Sequence, residues 1–254
     1  RTSDSYRRLR NTARFLLSNL SDFRPSAILP ANEMLDLDRW AVDCALRAQN
    51  EVKQDYDRYQ FHQVVKKVLH FCSIEMGGFY LDIIKDRLYT TQKESVARRS
   101  AQTAMYHIAH ALTRWIAPIL SFTAEEIWQN MPGENAESVF MTTWYEDLFA
   151  FPTEEQARWD AIIAIREAVN KELENARNAG KIGSALAAEV IIFCNGQYQD
   201  QLKFLADELR FVTITSSADV ATLDNKDDQA VASELKDVWV KVTPAAHNKC
   251  ERCW

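Results

Sequence analysis

The sequence predicts a mainly α protein, in which a helical bundle is followed by a small α/β module, and three observations support this prediction. First, small and apolar residues recur at alternating steps of four and three along one stretch, at Ala97, Ala101, Ala104, Ile108, Ala111 and Trp115. This spacing makes one side of a helix apolar for about six turns. Second, alanine stands there in place of leucine, which lets neighbouring backbones approach closely and is typical of a helix inside a bundle. Third, short strand-like runs appear only after residue 188.

Helical spacing also predicts the elements that precede this central helix. In the first helix, Leu9, Ala13, Leu16 and Leu20 share one face behind an N-cap in the segment Ser-Asp-Ser. Three further helices are predicted at residues 36–58, 60–76 and 79–89. The glycine pair Gly77-Gly78 is expected to interrupt the helix that begins near Gln60.

After the central helix the pattern changes twice. Pro118 ends the helix, and Thr123 followed by Glu126 predicts a capping box that starts the next one. A second capping box is predicted to open a long helix over residues 153–180, and strands are predicted in EVIIFCNG, FVTITSS and DVWVKVTPA. The predicted division is a helical part over residues 1–180, an α/β module over 181–246 and a short end over 247–254.

Charge and composition narrow the function classes. The net charge of −6 argues against a general nucleic-acid binder. The charge is uneven, because residues 1–130 hold 18 Lys+Arg and 15 Asp+Glu (+3), whereas residues 131–254 hold 12 and 21 (−9). A local basic surface on the first half is therefore compatible with the sequence. No apolar run of about eighteen residues and no signal peptide is recognisable, which predicts a cytoplasmic protein.

Four arginines lie close together in the first predicted helix. Arg7, Arg10 and Arg14 recur at i, i+3 and i+7, with Arg8 beside them, so we expect all four on one side of the helix. Such a row is either a solvated face or a surface that attracts anions. The spacing alone leaves both interpretations open.

Five cysteines are present, and two of them lie at the end of the chain in CERCW. Cys250 and Cys253 form C-x-x-C, a spacing that lets two thiolates occupy two corners of a zinc tetrahedron. A closed site needs two more ligands, and His247 is the only nearby candidate, so the sequence predicts half of a zinc site. A redox role is less favoured, since a thioredoxin-like C-x-x-C lies between a strand and a helix.

Other chemistry-bearing motifs are weak. The sequence contains no Gly-rich phosphate loop, nucleophile elbow or HExxH. His107 and His110 are three residues apart on the central helix, but no third metal ligand follows at helical spacing, so a structural role is expected. The pair Glu125-Glu126 is expected to belong to a helix cap.

Several longer motifs together resemble one family. The segments RRLRNTARFLLSNL, LDRWA, FYLDIIKDRLY, ARRSAQTAMYHI, APILSFTAEEIW and KCERCW are similar to the C-terminal part of the bacterial isoleucyl-tRNA synthetases. Looser forms of RNTxRF, YLDxxKDRLY and APIxxFxAEEIW are shared by the synthetases for valine, leucine and methionine. These motifs therefore indicate the anticodon-binding helical domain of class Ia synthetases, and KCERCW after an α/β segment favours the isoleucyl family.

The resemblance implies a fragment of a ligase whose task is RNA recognition. It implies a class Ia anticodon-binding bundle, a small α/β C-terminal module and a truncated zinc knuckle, with the catalytic core and the editing domain expected upstream. ATP and magnesium would be bound by that missing core, and zinc by the full-length enzyme. The implied partner is isoleucine tRNA, with no membrane, no obligatory protein partner and a monomeric state.

The resemblance also suggests which residues contact the tRNA. It favours an RNA-binding role for the row Arg7, Arg10 and Arg14. By comparison with related class Ia enzymes, Arg10 and Arg87 are expected to face the anticodon loop, with Lys85 near Arg87. Unstacked anticodon bases would be held by arginine and aromatic side chains.

Trp239 is a further candidate for the RNA-binding surface. Val238, Val240 and Val242 alternate onto one face of a predicted strand, which leaves the indole on the opposite face with Lys241. A core role is harder to justify there, and an exposed ring can stack with a base. The alternative is that the indole covers the edge of the small sheet.

Two other functions stay open at this point. One is the equivalent region of a valyl-tRNA synthetase, although such a chain would be expected to end in a long coiled-coil arm. The other is a helical protein-interaction scaffold that binds no RNA. A scaffold would not need arginines that converge from separate helices, so the placement of the basic residues discriminates between these functions.

Overall fold

The structure of the protein, a computed structural model, describes residues 2–205 and 208–246. The chain divides into two compact units, Arg1–Phe151 and Pro152–Trp254. The first unit is helical, and the second combines helices with a sheet. The predicted fold class, a helical bundle followed by a small α/β module, is thereby confirmed. Among the described residues, no helix is both long enough and apolar enough to cross a membrane.

The first unit is built from seven described α-helices and one π-helix. The helices are α1 (Thr2–Asn19), α2 (Asp36–Asp57), α3 (Phe61–His70), the π-helix (Phe71–Tyr80), α4 (Leu81–Ile83), α5 (Lys85–Thr90), α6 (Val96–Ile116) and α7 (Ser121–Gln129). Short 3₁₀ turns at Pro25–Ala27 and Ala31–Glu33 connect α1 to α2, and another at Val139–Met141 follows α7. From Thr142 to Phe151 the chain is extended or irregular.

The central position predicted for α6 is confirmed. Its residues are buried almost throughout, and Met105, Ile108 and Trp115 are among the most deeply buried side chains. The alanines predicted to face the core, Ala101, Ala104 and Ala111, have no exposed surface. Small side chains on α6 therefore allow α1, α2 and α3 to pack closely around it.

Hydrogen bonds fix the directions of the helices around α6. Ser100 Oγ accepts from the Leu35 amide at 2.8 Å where α2 and α6 begin, and the Tyr56 hydroxyl donates to the Trp115 carbonyl at 2.7 Å where they end. The two helices therefore run in the same direction. Helix α1 runs in the opposite direction, because its last residue, Asn19, accepts a hydrogen bond from Gln102 near the start of α6.

The predicted break of the helix at Gly77-Gly78 is wrong, although the helix does change its type there. The chain stays helical through both glycines, but it widens into the π-helix. An added Cβ on Gly77 would meet the Cys72 carbonyl oxygen at 3.0 Å, and one on Gly78 would meet the Ser73 oxygen at 3.3 Å. Residues without a Cβ are therefore suited to this wide turn.

The second unit contains α8 (Thr153–Asn178), α9 (Gln197–Leu205), α10 (Leu209–Thr213), β1 (Ala188–Cys194), β2 (Ser217–Ala221), β3 (Val231–Ala232) and β4 (Val238–Pro244). The strand order is β2-β1-β4-β3, with β1 parallel to β2 and antiparallel to β4. Helix α8 buries Trp159 and Val169 and packs on β4, α9 and α10. The compact units thus divide before α8, whereas the sequence predicts a boundary near residue 180.

Two local predictions are corrected. The predicted strand FVTITSS is helical at its start, because α10 extends to Thr213, and β2 begins only at Ser217. Neither predicted capping box forms: α7 begins at Ser121 behind Leu120, and α8 begins at Thr153 behind Pro152, without a side-chain cap in either case.

Candidate nucleic-acid interface

Helix α1 presents its arginines away from the core. Leu9, Ala13, Leu16 and Leu20 are buried, so the opposite side of the helix faces solvent. The side chains of Arg7 and Arg10 are 69% and 59% exposed. Arg7 lies 3.6 Å from Asp4, and Arg10 lies 3.7 Å from Glu126 on α7. Arg14 is exposed and has no partner among the described residues.

The expectation that four arginines share one side of α1 is only partly correct. Arg10 and Arg14 line a groove of about 530 Å³ between α1 and α7, which we call the α1–α7 groove. Arg8 lies on the other flank and lines a different groove, between α1, α2 and α3. The reason is geometric: residues two positions apart on an α-helix are separated by about 160° around its axis.

Arg87 lies in a polar site that is almost closed to solvent. Its side chain is 12% exposed, and Nη1 donates to Asp38 Oδ2 at 3.3 Å. The same carboxylate accepts from the Tyr80 hydroxyl at 2.7 Å and from the Ser100 hydroxyl at 2.5 Å. Asp38 itself has no exposed surface. We call these four residues the Asp38 site.

The surroundings of Asp38 explain its network. A buried carboxylate is costly unless charged or polar donors surround it. Burial, together with the neighbouring Asp38 carboxylate, raises the pKa of Tyr80 well above its ordinary value, so the phenol stays a donor. Lys85, two residues before Arg87, is half exposed and pairs with Asp82.

The structure brings the predicted tRNA-binding residues into three separate surroundings. Arg10 lies against α7, Arg87 against α2, and Trp239 lies on β4 in the second unit. The convergence of Arg10 and Arg87 on one RNA loop stays a prediction.

Trp239 is partly buried on β4, where it pairs with Phe193 on β1 and with Ala232 on β3. Val238 and Val240 are buried on the opposite face, as the alternation predicts, but Val242 is only partly buried. Lys226 Nζ lies 4.0 Å from the centre of the indole ring. The ring therefore carries a cation over one face, a contact that also increases local positive charge.

The two histidines of α6 form a buried aromatic cluster rather than a metal site. The Tyr145 hydroxyl lies 2.8 Å from His107 Nδ1, and the Tyr145 ring stacks on His110 at 5.2 Å between ring centres. Arg114 Nη1 donates to His110 Nδ1 at 3.0 Å. Burial lowers the pKa of His107 to about 4 and that of His110 to about 3. Both imidazoles are therefore neutral near pH 7, as a structural role requires.

This cluster holds the extended segment after Thr142 against the bundle. Besides Tyr145, Gln49 donates to the Tyr145 carbonyl at 2.8 Å, and Asp43 accepts from the Phe151 amide at 2.9 Å. Side chains of α2 and α6 thus supply hydrogen bonds along a segment that has no strand partner.

The predicted zinc ligands Cys250 and Cys253, with His247, lie outside the described residues. Within residues 2–205 and 208–246, no cluster of three His, Cys, Asp or Glu side chains could hold a metal ion. Cys44, Cys72 and Cys194 are buried, and none of the three is in a disulfide bond. Burial raises the pKa of Cys72 to about 12, which disfavours the reactive thiolate.

Sequence reasoning missed the Asp38 site and the groove beside Arg8. The partners of Asp38 are contributed by residues 42 or more positions away along the chain, so no local pattern places them beside it. The groove beside Arg8 could have been found from the helical angle between Arg8 and Arg10, once the buried face of α1 was assigned.

Comparisons with known proteins agree with the resemblance described above. The family model for the anticodon-binding domain of tRNA ligase matches residues 38–192. Among the similar curated proteins, the isoleucine–tRNA ligases of Mannheimia succiniciproducens and Pasteurella multocida are each 55% identical over the whole of this chain. That of Thioalkalivibrio sulfidiphilus is 53% identical, again over the whole chain. The chain spans 27% to 28% of the length of these relatives.

Proposed function

The chain belongs to the anticodon-binding domain family of tRNA ligases, and we propose that it binds the anticodon stem and loop of isoleucine tRNA as part of an isoleucine–tRNA ligase. The family match over residues 38–192 supports anticodon binding. The choice of isoleucine rests on relatives that are 55% identical over the whole chain. Such a ligase joins isoleucine to its tRNA at the expense of ATP, and this chain contributes recognition.

The observation that carries the proposal is the outward face of α1. Arg7, Arg10 and Arg14 are exposed there, and Arg14 has no acidic partner within the described part of the chain. The α1–α7 groove adds polar side chains, including Asn11 and Asn130, next to these charges. Guanidinium groups with amides beside them suit contacts to phosphates and to unstacked bases.

The remaining predicted contacts have different roles in the proposal. Arg87 orients the segment around Lys85 through the Asp38 site and faces the anticodon loop from there. Lys85 is the more exposed of the two and supplies charge. Trp239, with Lys226 over one face, offers the other face of its ring to a base.

The properties of the whole ligase belong to the same proposal. ATP and magnesium are handled by a catalytic core that lies outside this chain, and Cys250 with Cys253 provides two of the four ligands of a zinc site. The ligase acts in the cytoplasm as a monomer. The spacing of the two cysteines supports the zinc assignment, since C-x-x-C is typical of zinc knuckles.

The proposal is tested by titrating this chain with isoleucine tRNA at several salt concentrations. For about three to five neutralised phosphates, the slope of log affinity against log salt is expected to be about −2 to −4. The matched control is the same tRNA with its anticodon loop replaced. Equal affinity for both RNAs would contradict anticodon recognition, and no salt-dependent binding to either would favour a protein scaffold.

A further inference from the structure

A second groove lies on the flank of α1 that is turned away from α7. It has a volume of about 940 Å³ and is formed by α1, α2 and α3 together with the start of the π-helix. Four cationic side chains line it, namely Arg8, Arg47, Lys66 and Lys67. None of them belongs to the row Arg7, Arg10 and Arg14, so this α1–α3 groove is a separate basic surface.

Two of the cations are fixed by the fold. Arg47 Nε donates to Asp43 Oδ2 at 2.8 Å, and Lys67 Nζ lies 2.8 Å from Asp55 Oδ2. Asp43 and Asp55 are buried, and their carboxylates hold the two cations in place. The Arg47 side chain is nevertheless 49% exposed and the Lys67 side chain 31%, so both still reach the groove.

The other two cations carry their charge into solvent. Arg8 and Lys66 are exposed, and within the described ranges neither has an acidic partner. Unpaired cations on a groove favour an anionic ligand, because binding neutralises charge without first breaking an ion pair. The α1–α3 groove therefore combines two fixed and two available positive charges.

Acidic side chains pair with the fixed cations of the groove, but within the described residues they form no ion pair with Arg8 or Lys66. Asp4 is engaged with Arg7, and Glu51 with Lys67. Glu75 is the third acid of the groove, and burial raises the pKa of its carboxyl, which favours the neutral form. Four cations thus lie among five carboxyl groups, including the buried Asp43 and Asp55, and the charge available to a ligand comes from Arg8 and Lys66.

We propose that the α1–α3 groove binds a second stretch of the phosphate backbone of the same RNA that occupies the α1–α7 groove. This inference rests on the proposed function. Only α1, a helix about 10–12 Å in diameter with its side chains, separates the two grooves. An RNA stem-loop laid across α1 contacts both grooves, with Arg8 and Lys66 on one flank and Arg10 and Arg14 on the other.

The test compares three double variants of this chain in binding to the anticodon stem-loop of isoleucine tRNA. Arg8→Gln with Lys66→Gln removes the available charges of the α1–α3 groove, and Arg10→Gln with Arg14→Gln removes those of the α1–α7 groove. Arg24→Gln with Lys53→Gln is the matched control, since both cations are exposed, lack acidic partners among the described residues and line neither groove. Circular dichroism checks that each variant is folded.

The Arg8/Lys66 variant is expected to bind about tenfold more weakly, with a salt slope shallower by about 1.4 to 1.8 for two lost phosphate contacts. Hydroxyl-radical footprinting adds a second measurement, the pattern of protected riboses, which a general loss of positive charge would not change. The Arg8/Lys66 variant should lose protection at riboses other than those lost by the Arg10/Arg14 variant. The control should bind within about twofold of the unsubstituted chain.

The outcomes separate this inference from the proposed function. If the unsubstituted chain fails to bind RNA, the proposed function is wrong. If it binds, and the Arg10/Arg14 variant is weakened while the Arg8/Lys66 variant is not, only the α1–α3 groove is wrongly assigned. Loss of affinity without a change in footprint would also overturn direct contact. Competition by polyglutamate as strong as that by RNA would assign the groove to acidic protein segments instead.

Discussion

Arg14 on α1 and Arg87 on α5 both belong to the predicted RNA-binding residues, but they lie in contrasting surroundings. Arg14 is exposed and has no partner within the described residues, whereas Arg87 is 12% exposed and donates to the buried Asp38. The charge of Arg14 is screened by salt and does not lower the free energy of unfolding. The charge of Arg87 offsets the desolvation of a carboxylate, so the fold depends on it.

Residue type and motif alone therefore do not distinguish an arginine that binds RNA from one that stabilises the fold. An exposed arginine should respond to ionic strength and leave stability unchanged. A buried polar site should respond to substitution or to protonation, and its effect on RNA binding should follow from its effect on the fold. Each type of perturbation therefore tests one side of the comparison.

The largest effect is expected at the Asp38 site. Asp38→Ala leaves Arg87, Tyr80 and Ser100 without their shared acceptor, and removing one partner of a buried ion pair costs about 3–5 kcal/mol. Urea unfolding of the chain measures this loss. Asp36→Ala is the control on the same helix, because Asp36 is partly exposed and pairs only locally with Arg39.

An Asp38→Ala variant that loses less than about 1 kcal/mol would contradict the structural role of Arg87. It would mean that Arg87 is not held by the carboxylate and is as available for RNA as Arg14. The Asp36→Ala control is expected to lose less than that amount, as exposed ion pairs usually contribute little.

The second largest effect is expected at low pH, where the buried histidines His107 and His110 should make the fold less stable. The pKa of His107 is lowered to about 4 and that of His110 to about 3, so as the pH falls below about 6.5 the unfolded chain binds protons before the folded chain does. The free energy of unfolding should therefore have its full value above that pH. It should decrease by about 1.4 kcal/mol per pH unit for each histidine as the pH falls towards 4. Urea titrations at several pH values measure this slope.

His107→Gln should reduce the acid-dependent loss, because one of the two shifted groups is gone. His62→Gln is the matched control, since His62 is exposed on α3 and lies outside the buried cluster. A slope that His107→Gln does not alter would show that the buried cluster is not the source of the acid sensitivity. By contrast, substitutions of the exposed arginines should change RNA affinity at constant pH and leave the free energy of unfolding unchanged.

The sequence predicted the helical part of the fold well because its signal is local and repeated. In α6 the apolar spacing persists over the whole helix, so one misleading residue does not change the prediction. The segment FVTITSS lacks such repetition. Its β-branched residues favour a strand, but the Thr213 hydroxyl donates to the Leu209 carbonyl, and Ile214 takes a left-handed conformation that ends α10.

The candidate site was only partly predictable for a different reason. Arg10 and Arg14 could be assigned to the surface of α1 because the spacing of its apolar residues predicts which face is buried. The surroundings of Arg87 depend on Asp38, Tyr80 and Ser100, whose proximity is set by the packing of three separate elements. No local pattern in the motif YLDxxKDRLY reveals that its arginine meets a buried carboxylate.

A third prediction places Trp239 on the recognition side of the comparison. In the full-length ligase, Trp239→Ala should weaken aminoacylation of tRNA by about fivefold or more, because a stacked base contributes roughly 1–3 kcal/mol. The tRNA-independent activation of isoleucine should be unchanged. Phe193→Leu is a control in the paired position on β1, where a buried side chain should affect stability instead. Equal damage to both steps would assign the indole to the architecture of the small sheet.

The smallest expected effect has the opposite sign and concerns Arg10. Its guanidinium lies 3.7 Å from the Glu126 carboxylate, and both side chains are more than half exposed, so this ion pair should contribute little to stability. Glu126→Gln removes a negative charge from the α1–α7 groove and releases Arg10 for a phosphate. RNA affinity should therefore rise by about two- to threefold at low salt, and the gain should shrink as salt is added. Glu134→Gln, which removes an exposed charge outside this groove, is the matched control. A loss of affinity in Glu126→Gln would mean that Glu126 holds Arg10 in its binding position, and Arg10 would then resemble Arg87 more than Arg14.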